Sequence, residues 1–237
     1  MIEIQGAAHY FHVVRAGEPV PSLEARLRPV CRERFRRLDR FIELALMGSG
    51  ECTAGKKLAR DCGLYISSGI GPIGSNIVVQ DSVVRDAKLP MPFNFVNTLG
   101  SSAGYYVGKN LGLTGESVFV SRRGSAFGAA LSCAVADISS GLVSQILIGA
   151  VEECPLPVDR FRELVGLPAT AVTAEGSHWL LLGHAGRAGS AISVGDVSFD
   201  GYESADAARL ASFALRNPAM RLGLSCTNGG AANLHAL

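Results

Sequence analysis

An α/β layered domain is expected from three features of this chain. Strand-like and helix-like segments alternate along its length. The run Gln145 to Val151 is apolar almost throughout, as a strand covered on both faces should be. Ahead of it, Ser125 to about Ser140 reads as a helix rich in small residues, among them Ala126, Gly128, Ala129, Ala130, Ala134 and Ala136, and such a helix packs closely and is usually buried. With 237 residues, 48% of them hydrophobic and 18% charged, the chain has ample material for a core.

Taken in order, Met1 to Tyr10 reads as a first strand. Leu23 to about Met47 reads as one long helix, with Leu27, Val30, Leu38, Phe41, Ile42 and Ala45 at helical spacing, Pro29 in an early turn, and Gly48 and Gly50 loosening its end. Leu64 to Ser67 is a second strand, and Pro90 and Pro92 hold an extended stretch before a helix that starts near Thr98. Glu116 to Ser121 is a third strand, running into the small-residue helix, and Gln145 to Val151 is the fourth. Trp179 to Leu182 and Ala191 to Phe199 are further strands, and Ala205 to Leu215 is a helix stopped by Asn217-Pro218. Arg221 to Ser225 is a last short strand, ending in Cys226-Thr227-Asn228-Gly229-Gly230. No repeat and no low-complexity linker interrupts this, so residues 1–237 are expected to form one domain.

The composition excludes several classes. It is too apolar for a disordered chain, and it does not need disulfides or metal to fold. Lys+Arg 22 against Asp+Glu 21 gives a net charge of +1, which argues against nucleic acid or an anionic membrane as a partner. The six cysteines lack the spacing of metal ligands and read as free thiols in a reducing cytosol. No apolar run is long enough to span a membrane, and the first residues lack the pattern of a signal peptide. A cytoplasmic protein without cofactor or metal is expected.

Five candidate features remain. Gly69-Ile70-Gly71-Pro72-Ile73-Gly74 matches the glycine spacing of a dinucleotide-binding turn, but Pro72 removes a donor there. Ser75 to Val79 does not open a convincing amphipathic helix, so a glycine-rich turn is the better reading. Arg26, Arg28, Arg32, Arg34, Arg36, Arg37 and Arg40 make a positive stripe, which is either a solvated face or a dock for an acidic protein. None of His9, His12, His178, His184 and His235 has ligand spacing, and His178 and His184, flanking a strand, read as structural. No Gly-x-Ser-x-Gly elbow is present. Val118 to Gly128 is the informative segment: a strand, a sharp turn, and at once a helix whose free N–H groups could hold an anion or thiolate. Acyl-transfer enzymes place a nucleophile in such a turn.

Here the sequence resembles a β-ketoacyl synthase of the thiolase-like fold. Arg37 to Ala45 resembles the family's first long helix, Gly63 to Gly69 its second strand and turn, and Pro92 to Asn97 the approach to the helix before the nucleophile. Leu111-Gly112-Leu113-Thr114-Gly115 resembles the Leu-Gly-Leu-x-Gly turn. Ile146 to Glu152, after Gly141, resembles the strand with its Gly-Gly-x-(Asp/Glu) end, and Glu175 to Leu182 the Glu-Gly-Ala-x-x-Leu-x-Leu strand. The resemblance implies a mixed, mainly parallel five-stranded sheet between helices over 1–200, and a shortened remainder over 201–237. Two departures bear on activity. The nucleophile motif Ala-Cys-x-Ser-Gly falls on Arg122-Arg123-Gly124-Ser125-Ala126, so Arg123 stands at the cysteine position, and guanidinium is no nucleophile. No segment resembles the family's two histidine motifs, although Asn228-Gly229-Gly230 resembles its closing turn.

Three readings follow from the resemblance. The first is a non-catalytic subunit of the chain-length-factor kind, similar to short forms beside aryl-polyene synthases. It would pair with a full-length ketosynthase, or with itself, along the third strand. Phe119 and Ser121 would lie at that joint, with Arg32, Arg36 and Arg37 receiving an acidic acyl carrier protein. Arg123, Gly124, Ser125, Phe127, Asn228, Gly229 and Gly230 would meet the acyl end of a substrate. The second reading is an enzyme with a displaced nucleophile, Cys133 or Ser121, although Cys133 is expected to be a buried packing residue. The third is a stand-alone binder of an acyl group or small acid. A half-length sheet should expose a large apolar patch unless a partner covers it.

Overall fold

The computed structural model describes residues 2–122, 126–184, 190–196, 220–226 and 232–236, the last three segments by backbone alone. Strands β1 (Ile2–Val14), β2 (Gly63–Ser68), β3 (Ser117–Ser121), β4 (Gln145–Glu152) and β5 (Thr173–His184) lie in the order β3-β2-β4-β5-β1. β2 is parallel to both β3 and β4, whereas β5 is antiparallel to β4 and to β1. Four of the five strands therefore run one way and β5 alone opposes them, the mixed and mainly parallel sheet expected. β6 (Ser190–Asp196), β7 (Met220–Cys226) and β8 (Ala232–Ala236) extend it to eight strands, through the short pairing of Ile2 and Glu3 with Leu222 and Arg221.

Helices cover both faces. The helix α6 (Ala126–Ser139) lays Phe127, Ala130, Leu131, Ala134 and Ile138 on one face, against Tyr65, Ile146 and Ile148. Its small residues let it come close, as the sequence implied. On the other face α2 (Arg40–Thr53) and α5 (Gly100–Leu111) pack on Leu64, Ile66, Leu147 and Trp179. Gly48 and Gly149 are where the Trp179 ring fits: a Cβ on either would lie 2.4 Å from it.

The single helix expected over Leu23–Met47 is two. Helix α1 (Glu24–Leu27) is one turn, and α2 begins only at Arg40, capped by Asp39, whose Oδ1 accepts from the Ile42 N–H at 2.9 Å. Pro29 and the left-handed backbone of Arg37 (φ 58°) break the run between them. Gly48 and Gly50 lie inside α2 and do not end it. Their role is close approach, Gly48 to Trp179 and Gly50 to Val30.

A helix also forms where none was expected, α3 (Ile73–Gln80), running into a π turn at Asp81–Arg85. It buries no residue fully, which is why its sequence carries no amphipathic pattern. Helices α4 (Pro92–Asn97) and α7 (Val158–Val165) complete the described set. β1 runs four residues past Tyr10, and β5 spans twelve residues, so His178 lies inside it and His184 ends it. The helix expected over Ala205–Leu215 lies outside the described residues.

Candidate functional site

β3 is the edge strand, paired only with β2 among the described residues. It ends at Ser121, the Arg122 N–H donates to the Ser68 carbonyl at 3.3 Å, and α6 starts at Ala126. The strand and the helix of the frame read from the sequence are therefore present, while Arg123, Gly124 and Ser125 between them lie outside the described residues, as do Asn228, Gly229 and Gly230. Phe127, one residue into α6, is buried in the core with Tyr65 and Leu131. Phe119 turns inward: its ring meets Phe41 edge-on with centroids 6.1 Å apart, and it fills the space that Gly100 leaves open. Ser121 is exposed. Cys133, expected to be buried, is exposed on α6, because the helix's core face runs through Ala130, Leu131, Ala134 and Ile138 and leaves position 133 outward.

In the glycine-rich turn two of the amide donors a phosphate would use are already engaged. The Gly69 N–H and Ser68 Oγ donate to the Glu152 carboxylate, and the Gly74 N–H donates to Glu153 Oε1 at 2.7 Å. These amide donors already have carboxyl partners within the chain.

The arginine stripe divides in two. Arg26 forks onto the Glu51 carboxylate and lies over the Tyr10 ring. Arg40 forks onto buried Glu175, which also accepts from the Tyr10 hydroxyl at 2.9 Å. Those two arginines are structural. Arg28, Arg32, Arg34, Arg36 and Arg37 are exposed, and none forms an ion pair among the described residues. They are carried by a loop that α5 holds in place. Asn110 Oδ1 accepts from the Arg32 N–H at 2.7 Å, its Nδ2 donates to the Val30 carbonyl at 3.0 Å, and Phe35 packs edge-on against Tyr106.

A cleft of about 700 Å³ opens beyond the carboxyl ends of β2 and β4. Its polar wall comes from Asp39 and Arg40 at the start of α2, Ser75 on α3, Asn94 and Asn97 on α4, and Glu153 after β4. Ile77, Met91, Phe93 and Leu156 supply apolar wall, and Arg37 stands on its rim. Ser75 Oγ donates to Asp39 Oδ2 at 2.6 Å. Glu153 is 4% exposed, and burial, with the charges of Asp39, Glu175 and Glu152, pushes its carboxyl up to about 8 against the pull of the Gly74 N–H. Asn97 is 3% exposed, and its Oδ1 has no hydrogen-bond partner. This cleft was not legible in the sequence: its polar residues come from four separate segments. Glu152, at the end of the resembled Gly-Gly-x-(Asp/Glu) strand, was the nearest signal.

On the opposite face of the sheet His9 and His178 stack, their Nδ1 atoms 2.8 Å apart. Burial and the neighbouring ring push His178 down to about 3. His178 lies inside β5, and its buried Nε2 has no hydrogen-bond partner. Among the described residues no group of three His, Cys, Asp or Glu side chains could hold a metal, and no helix is long and apolar enough to cross a membrane.

The fold, compared with solved structures, is that of the ketosynthases. The ishigamide ketosynthase/chain length factor superposes with a TM-score of 0.62 at 16% identity, covering 79% of this chain and 63% of that one. A ketosynthase in complex with its chain length factor from Xenorhabdus doucetiae gives 0.55 at 15%, covering 78% and 80%. A type II polyketide synthase acyl carrier protein in complex with its ketosynthase gives 0.55 at 16%, covering 77% and 57%. The chain thus spans about 63% of the length of the first of these. No family model and no curated protein matches by sequence. At these identities the likeness is one of fold: a ketosynthase-like, thiolase-like architecture.

Proposed function

We propose that this chain is a non-catalytic ketosynthase-like subunit of the chain-length-factor kind, which pairs with an active ketosynthase in polyketide- or fatty-acid-type synthesis. The observation that carries this reading is Arg123 in the turn between β3 and α6, where the fold's active members place a nucleophile. The fold likeness to ketosynthase–chain length factor complexes supports the partner. So does the surface: Val84, Leu89, Met91, Phe95 and Leu99 are each at least half exposed on the stretch that precedes α5 and β3. An apolar stretch of this kind calls for a protein to cover it.

In this reading β3 offers its free edge at the joint near Ser121, with Phe119 holding the strand from inside. The exposed Arg32, Arg36 and Arg37 receive an acidic acyl carrier protein. Arg123, Gly124 and Ser125, with Asn228, Gly229 and Gly230, face the acyl end of the substrate, while Phe127 stays in the core. Residues 1–200 act as the synthase-like half and 201–237 as a shortened remainder, in a cytoplasmic complex whose product is an aryl polyene or a related polyene.

Intact-mass analysis after incubation with an acyl-thioester of the carrier protein tests the absence of chemistry. The expected result is acyl adduct on the ketosynthase and none on this chain. Adduct on this chain, mapped to exposed Cys133 or to Ser121, would instead establish a displaced nucleophile.

A further inference from the structure

We propose that residues 197–219, which join β6 to β7, cross the α6 face of the sheet, and that Ala205–Leu215 packs there as an amphipathic helix over β6, β7 and the start of β1. The inference does not depend on the partner-subunit reading.

β6 and β7 are neighbours and parallel, so the chain between them must return along the whole length of the pair. It does so over one face of the sheet, and the hand of the connection decides which. The parallel connections among β1 to β4 share one hand. From β1 to β2 by way of α2, and from β2 to β3 by way of α5, the chain steps towards the β3 edge with its helix on one face. From β3 to β4 it steps the other way, with α6 on the opposite face. β7 is antiparallel to β1, so β6 and β7 run against β1, β2, β3 and β4. From β6 to β7 the chain again steps towards the β3 edge, now on reversed strands. The same hand therefore puts this connection on the α6 face.

The pairing register selects the same face independently. Leu222 stands opposite Ile2, which belongs to the core under α6. Ile192 stands opposite Leu222, and Val194 opposite Leu224. Alternate positions of a strand share a face, so Ile192, Val194, Met220, Leu222 and Leu224 hold register positions on the α6 face. Ser193, Arg221, Gly223 and Ser225 hold those on the other. The apolar face requires cover, and the polar one does not. Among the described helices, α6 packs on β2, β3 and β4, while α2, which packs on β1 and β5, lies across the sheet.

The connecting sequence fits that face. At helical spacing Ala207, Leu210, Ala211 and Ala214 fall on one side, and Arg209 and Ser212 on the other. Ser204 is a favourable residue ahead of a helix, and Asn217-Pro218 ends one. A helix over Ala205–Leu215 would be about 16 Å long at 1.5 Å per residue. The β6–β7 ladder from Ser190 to Val194 has about the same length at 3.3 Å per residue. The alanines on the apolar side let such a helix lie close to the strands.

Thiol labelling of the full chain with iodoacetamide, mapped by peptide mass, tests this. Leu210→Cys should react about a hundredfold more slowly than Ser212→Cys, because only the first lies on the packed side. Leu222→Asp, added to Leu210→Cys, should abolish that protection. Ser193→Asp, on the other face, should leave it intact. Spin labels on exposed Cys133 of α6 and on Ser212→Cys should lie closer together than labels on Ser212→Cys and Tyr105→Cys of α5, across the sheet, in a chain carrying Cys133→Ser. Equal labelling at positions 210 and 212, faster labelling at 210, protection lost in Ser193→Asp but kept in Leu222→Asp, or the shorter distance to α5 would each overturn the proposal. Should Leu222→Asp fail to fold, the labelling comparison and the two distances still decide it.

Discussion

Glu175 within β5 and Glu153 just past the end of β4 are both buried carboxylates, and the fold treats them differently. Glu175 receives the Arg40 guanidinium in a fork and the Tyr10 hydroxyl, so its charge is matched and its oxygens are filled. Glu153 receives one backbone N–H and faces other acids. The first arrangement ties β1, α2 and β5 together and leaves nothing for a ligand. The second leaves hydrogen-bonding capacity beside open space, in the cleft also lined by the unpartnered Asn97. Burial alone therefore does not mark a structural residue here; what matters is whether the buried charge has a counter-charge.

The largest effect should come from breaking the closed arrangement. Glu175→Ala leaves Arg40, 17% exposed, with only the longer contact to Glu43 at 3.6 Å, and should destabilise the fold by about 3–5 kcal/mol in urea unfolding. A loss below about 1 kcal/mol would remove the contrast between the two sites.

The open arrangement should appear as a pH dependence. The folded chain holds the Glu153 proton up to about 8, whereas the unfolded chain releases it near 4.5. The folded state therefore binds more protons in that window, and stability falls as pH rises through it. His178, pushed down to about 3 by burial and then by His9, works in the opposite sense, losing stability as pH falls from 6.5 towards 3. The two slopes oppose each other between 4.5 and 6.5. Between 6.5 and 8 the Glu153 slope no longer has that of His178 against it, and it contributes up to about 1.4 kcal/mol per pH unit. Glu153→Gln should flatten it, and an unchanged slope in that variant would assign the effect to another group.

The smallest effect is expected at the half-exposed Arg26–Glu51 pair. Arg26→Met should cost about 1 kcal/mol or less, because solvent screens the pair and the methionine stem still covers Tyr10. A cost matching that of Glu175→Ala would show that exposure does not set the ranking.

Much of the fold was legible because its strands are simple. Gln145–Glu152 and Gly63–Ser68 are buried nearly throughout, and apolar runs of that length announce themselves. The small-residue helix was legible for the same reason. The arginine-rich segment was misread as helix because Leu27, Val30, Leu38 and Phe41 keep helical spacing across a loop that Asn110 pins from a distant part of the chain. α3 was missed because its apolar residues are only part-buried. The strand and helix on either side of Arg123, Ser117–Ser121 and Ala126–Ser139, were legible as a strand and a small-residue helix in close succession. The cleft was not found because its chemistry is assembled in space: Asp39, Ser75, Asn97 and Glu153 share no spacing, and nothing in the sequence marks Asn97 as unpartnered.

The partner-subunit account is tested most directly by native mass spectrometry of the protein affinity-purified from the cell that makes it. The account predicts a one-to-one complex with a full-length ketosynthase. Recovery of the chain alone, or as a homodimer only, would contradict it.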